Sequence, residues 1–179
     1  MPTFISILRG INVSGHKIIK MKALQEVYER LGFHRVRTYI QSGNVVFESS
    51  ISDPGKLEHM ITGEVLKSFG FEVPVIVLSK DSLIEISMQN DYVGKRGEDI
   101  SKLHVTILSA EPDKSLADGI RKEDYLPDEF YITGRTIYLF CPNGYGNTKL
   151  SNTFFEKKLK VQATTRNWNT VLVLVKMSE

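Results

Sequence analysis

Apolar residues dominate positions 3–9 (TFISILR). The run is short and β-rich, and it predicts a buried central strand. A polar, glycine-bearing stretch follows, GINVSGHK. The rhythm then changes. Met21, Leu24, Val27, Tyr28 and Leu31 recur at three- and four-residue steps, which marks one face of a helix. Gly32 stands where a left-handed residue would close that helix. Residues 35–41 and 44–48 predict two short strands about the tight turn Ser42-Gly43. Ser52-Asp53-Pro54 then offers a cap and a first-turn proline. Leu57, Met60, Ile61, Val65 and Phe69 mark a second amphipathic helix, closed by Gly70, and VPVIVLS at 73–79 is a further strand. The order β-α-β-β-α-β is the ferredoxin-like one.

After a short helix from Asp81 to about Met88, residues 91–102 (DYVGKRGEDISK) carry few apolar groups and read as a linker. The pattern then begins again. A strand at 103–109, a helix from Pro112 to Lys122, a hairpin over 129–141 and a helix at 151–160 are expected. Tyr39-Ile40-Gln41-Ser42-Gly43 before Val45-Val46-Phe47 is echoed by Tyr131-Ile132-Thr133-Gly134 before Ile137-Tyr138-Leu139-Phe140. The expected fold is therefore α+β: two ferredoxin-like halves, 1–90 and 103–179, with antiparallel or mixed sheets, internal duplication and helices on one face of each sheet. The tail is ambiguous. VLVLV at 171–175 has strand propensity, while Asn167 or Asn169 could cap a helix.

Composition adds a compartment and a charge pattern. The single cysteine, Cys141, excludes an internal disulfide and suits a reducing cytoplasm. No run approaches the roughly 18 apolar residues of a membrane span. The start MPTFISILRG lacks the form of a secretory leader and reads as mature protein, so a cytoplasmic location without membrane association is expected. Net charge is only +2, but residues 1–40 hold seven Lys/Arg against two Asp/Glu, and 141–179 six against two. Residues 41–140 hold ten against seventeen. A basic face made from the two ends would attract phosphate or another anion. Lys157, Lys158 and Lys160 fit better as one solvated helix face.

LRGINVSGHKIIKM at 8–21, VRTYIQSGNVVF at 36–47, GYGNTKLSNTFFEKKL at 144–159 and ATTRNWNTV at 163–171 resemble the signature blocks of a bacterial family, domain of unknown function 1697. Ser14 departs from the glycine usual beside Gly15. The resemblance implies a two-part α+β fold resembling a duplicated ferredoxin-like unit and favours a helical tail. It implies no activity.

Candidate chemistry gathers in two loops. In a ferredoxin-like unit the first and third strands are expected side by side and parallel, so their carboxyl ends share an edge. The loop after Arg9 and the loop after Cys141 (PNGYGNTK) both place glycines, an asparagine and a lysine ahead of a helix. Glycines let amide groups converge on an anion, and arginine can grip two oxygens. A cleft between the halves lined by Arg9, Asn12, Lys20, Asn44, Lys149, Asn152 and Arg166 is the expected site. Its ligand would be a nucleotide, a phosphorylated metabolite or a nucleic-acid backbone. Neither loop is a nucleotide-binding GxxxxGK[ST] or GxGxxG string, so the alternative of plain glycine turns stays open.

Asn44 also fits simple turn chemistry, and Trp168 beside Arg166 fits either a structural latch or a binding element. Cys141 has no evident histidine partner, and His16, His34, His59 and His104 show no metal-ligand spacing. No catalytic residue, cofactor or metal site is assigned. The third strand offers one aromatic, Phe47, where an RNA-recognition sheet needs several. Two other readings stand beside the binding protein: an enzyme on a small anionic substrate using Lys149 or Cys141, and a protein-interaction module.

Overall fold

A computed structural model describes residues 1–179. The chain divides into two compact units, Met1–Ile84 with Leu174–Glu179, and Glu85–Val173. In the first, β1 (Thr3–Leu8), α1 (Met21–Arg30), β2 (His34–Tyr39), β3 (Asn44–Glu48), α2 (Pro54–Phe69) and β4 (Val75–Ser79) follow in turn. Their sheet has the order β2-β3-β1-β4. Leu24, Val27 and Tyr28 of α1 and Leu57, Ile61 and Val65 of α2 pack on Phe4, Leu8, Val45, Phe47, Val75 and Val77. Phe47 is thus a core residue, fully buried, and not a platform for stacking bases.

The local signals act as expected here. Asp53 Oδ1 accepts from the amides of Gly55 (2.9 Å) and Lys56, Pro54 opens α2, and Gly70 closes it at φ +80°. Gly63, exposed within α2, has nothing within 4 Å of an added Cβ. Gly63→Ala is therefore expected to raise stability by about 0.5–1 kcal/mol in chemical denaturation.

α3 (Lys80–Met88) leads to the second unit: α4 (Asp91–Gly94), β5 (Leu103–Leu108), α5 (Lys114–Asp118), β6 (Glu129–Thr133), β7 (Thr136–Phe140), α6 (Asn152–Leu159) and β8 (Ala163–Asn167); α7 (Trp168–Ser178) follows, its residues from Leu174 onward counted with the first unit. The sheet order β6-β7-β5-β8 repeats that of the first unit. Hydrogen bonds just beyond the ladders repeat too. Leu8 N donates to Gly43 O and Leu108 N to Arg135 O, both at 2.8 Å. Arg9 N donates to Pro74 O at 3.0 Å, and Ser109 N to Gln162 O at 2.9 Å. Two similar halves, consistent with duplication, are built on one plan.

Three expectations need correction. The first and third strands are antiparallel, not parallel: β1 pairs antiparallel with both β3 and β4. The β1–α1–β2 crossover leaves a gap that β3 fills on its return from the β2–β3 hairpin, so β3 must run against β1. The helix expected over 112–122 is confined to Lys114–Asp118, because Gly119 ends it and a 3-10 turn at Lys122–Tyr125 follows. Residues 163–167, where the sequence pattern predicts no strand, form one. The tail is a helix: Asn167 Oδ1 accepts from Thr170 N at 2.8 Å, and Trp168, Thr170, Val171, Leu174 and Ser178 are its buried positions.

Candidate anion-binding site

Because β1 runs against β3, the segment leaving β1 arrives beside the β2–β3 turn. Asn12 joins the two. Its Nδ2 donates to Gln41 O (2.8 Å) and Ile19 O (2.9 Å), and its Oδ1 accepts from Ile19 N (2.8 Å). One side chain thus fixes the base of a loop spanning 9–20 and pins it to turn 40–43. Lys17 adds a tie from its Nζ to Glu72 O at 2.6 Å. Gly10, Asn12, Ser14, Gly15 and Lys17 all have positive φ. Left-handed residues of this kind curl a backbone so that its amides can face one side, as anion nests require. Ile40 in the adjoining turn sits at φ +49°. That is a strained setting for a β-branched residue, costing on the order of 1–3 kcal/mol.

The loop delivers its basic groups to the start of α1. Arg9 is half-buried, while His16, Lys17, Lys20 and Lys22 are exposed. Lys20 is the N-cap residue of α1, and no side chain caps the helix there. Its first-turn amides therefore lack the side-chain acceptor that Asp53 supplies to α2 and Ser151 to α6. Uncapped amides carry the positive end of the helix dipole. No Asp or Glu occurs from Arg9 to Gln25 to oppose them. Arg9, Asn12 and Lys20 are thus brought into one loop. Asn44 lies beneath: it is fully buried, and its Nδ2 donates to Tyr39 O and Ser42 Oγ, both at 3.0 Å. It shapes the turn. Sequence reasoning missed Lys17 and Lys22; the acid-free stretch was the signal that could have found them.

The expected residues of the second unit are differently employed. The β5–β7 pairing sets Leu103 opposite Phe140. The loop after β7 therefore lies at the far end of its sheet from the loop after β5, the counterpart of 9–20. Lys149 is exposed and borders a shallow 170 Å³ hollow that also holds Asp124 and Asp128. Those carboxylates oppose an anion. Asn152 Oδ1 accepts the Thr165 hydroxyl at 2.6 Å, and Arg166 Nη1 donates to Thr165 O at 3.0 Å. Burial pushes the Arg166 guanidinium down to about 10. Trp168 is 1% exposed and belongs to the core.

Cys141 is wholly buried, and burial pushes its thiol up to about 11. At pH 7–8 almost none is thiolate, the reactive form. Alkylation by iodoacetamide is expected to be at least tenfold slower in the folded protein than in denaturant, and a thiol that titrates near 8 would reverse that reading. No three His, Cys, Asp or Glu side chains gather as metal ligands. No helix is long and apolar enough to cross a membrane.

Two similar ferredoxin-like halves, with a basic loop presented by the first, define an α+β protein consistent with internal duplication. Residues 1–138 match the family model described as a protein of unknown function, DUF1697, and the chain belongs to that family. The fold is similar to that of the conserved bacterial protein SP0830 from Streptococcus pneumoniae, with a TM-score of 0.76 and 20% identity over 99% of each chain. At that identity the likeness concerns the fold alone. No curated protein matches the chain.

Proposed function

We propose that the protein is a cytoplasmic binding protein for an anionic, phosphate-bearing ligand, held by the loop 9–20 and the N-terminus of α1. The ligand class comprises nucleotides, phosphorylated metabolites and nucleic-acid backbone. One observation carries the reading: an uncapped helix N-terminus stands at the end of a loop with Arg9, His16, Lys17 and Lys20 and no carboxylate. Such an end favours phosphate through its free amides and its dipole. Lys20 adds a point charge, and Arg9 a fork that can take two oxygens. The anchoring by Asn12 supports it, since a fixed loop loses less entropy on binding. Lys149, Asn152 and Arg166 are set aside in favour of this smaller set.

Thermal unfolding with pyrophosphate, tripolyphosphate and ATP tests the proposal. At ligand ten times the dissociation constant, stabilisation is about 1.4 kcal/mol. For a chain of this size that is roughly a 3–5 °C rise in midpoint. Arg9→Ala with Lys20→Ala is expected to remove the rise, read against the variant's own ligand-free midpoint because Arg9 is half-buried. No rise in the unaltered protein with any of the three would end the proposal. The buried thiol gives the alternative of a cysteine-dependent enzyme no support.

A further inference from the structure

Each sheet has two edge strands, and an unguarded edge invites pairing with another chain. Three of the four edges are guarded. In β4, the outward amide of Val77 is taken by Glu58 Oε1 at 2.8 Å. In β8, that of Ala163 is taken by Glu156 Oε2 at 3.2 Å. In β2, the register breaks between His34 and Arg37, Arg35 sits at φ +48°, and Arg37 reaches to Met177 O. β6 has none of these devices. It pairs with β7 through five consecutive positions without a shift, from Glu129–Phe140 to Thr133–Thr136. Thr133 and Thr136 close a two-residue turn and so form a hydrogen-bonded pair. Alternation then directs the amide and carbonyl of Ile132, and of Phe130 before it, away from β7.

Two hollows flank this edge. One, of 330 Å³, is bordered by Pro112, Ala117, Phe130 and Ile132. The other, of 450 Å³, is bordered by Tyr92, Leu126, Phe130 and Tyr131. Phe130 and Lys122 belong to both. Leu126 is 65% exposed beside them. An extended chain laid along Ile132 would send alternate side chains to opposite sides of the sheet, one towards each hollow, the pattern of strand addition. Phe130 is 3% exposed, so pairing centres on Ile132 and the hairpin tip.

Charge selects the occupant. Residues 111–133 hold seven Asp/Glu and three Lys/Arg. The arginines nearby do not cancel the excess: Arg96 is divided between Glu98 and Glu129 and Arg121 between Glu123 and Asp124, while Arg135 at the hairpin tip, whose Nε donates to Leu108 O, adds only one positive charge against it. A second copy of this strand would bring like charges together. We infer that β6 is a docking edge for an extended, lysine- or arginine-bearing peptide segment of another protein, which adds a strand beside Ile132 and places alternate side chains in the two flanking hollows.

The test uses the whole chain and a fluorescein-labelled octapeptide of alternating lysine and valine, read by anisotropy at 50 mM salt. Saturable binding is expected, with no binding by a glutamate–valine peptide of the same length. N-methylation of the peptide amides on its pairing edge is expected to weaken binding at least tenfold. Asp118→Asn with Asp128→Asn is expected to weaken it several-fold at unchanged far-ultraviolet circular dichroism. Equal binding of the methylated peptide would reduce the interaction to bulk charge and overturn the inference. Failure of the lysine–valine peptide to bind would overturn it too, as would a salt-stable dimer that Ile132→Pro abolishes. None of these outcomes touches the loop at Arg9, so the two proposals stand or fall separately.

Discussion

Asn12→Ala is expected to lower unfolding free energy by about 2–4 kcal/mol, since it removes three hydrogen bonds worth roughly 0.5–1.5 kcal/mol each. Alanine is also less at ease than asparagine at the observed φ of +54°. The damage should be local before it is global. Hydrogen exchange at Ile19, whose amide donates to Asn12 Oδ1, is expected to accelerate well beyond exchange at Phe47 in the core. Asn12→Asp keeps the acceptor for Ile19 but turns a carboxylate oxygen towards the carbonyls of Ile19 and Gln41. It should therefore be no milder than alanine. A loss below about 0.5 kcal/mol, the low end for one such bond, would show that the loop is held by something else.

Gly43→Ala should be comparably severe for a steric reason. The residue sits at φ +87°, and an added Cβ would lie 2.8 Å from Ile11 Cδ1 and 2.9 Å from Leu8 Cβ. The left-handed setting costs about 1–2 kcal/mol, and overpacking adds about 1–3. Gly134→Ala is the matched control, because φ is again positive (+56°) but nothing lies within 4 Å of the new carbon. Its expected cost is about 1 kcal/mol. Denaturant midpoints at constant slope separate the two. Equal losses would mean that the turn gives way without disturbing β1 and the loop.

Much of the fold could be read from residue order because several ends carry their own chemistry. Asp53-Pro54 and Gly70 mark both ends of α2 by what their side chains and backbones can do, and the structure uses them so. Strand direction was not legible in the same way. Order along the chain fixes neighbours only after the reversals are counted, and the misjudged parallel pairing came from omitting the hairpin reversal. β8 was hidden because Thr165 and Arg166 leave it polar on both faces. α7 was ambiguous because Val171, Val173 and Val175 favour a strand, whereas Asn167 caps a helix whose positions Trp168, Val171, Leu174 and Ser178 are buried at helical spacing.

The site was half legible. Glycines and basic residues announce a loop, but nothing periodic reveals that Asn12 reaches across to Gln41. The same lack of pattern hid the burial of Asn44 and the use of Asn152 and Arg166 around Thr165. Polar side chains that bond to distant backbone leave no spacing to detect.

Amide chemical shifts during a titration with pyrophosphate reach the main question most directly. If the uncapped turn of α1 and its loop hold the anion, saturable shifts should concentrate in residues 9–23 and vanish in Arg9→Ala with Lys20→Ala. Shifts gathered instead at Lys157, Lys158 and Lys160, or a spectrum indifferent to the ligand, would contradict the assignment of anion binding to this loop.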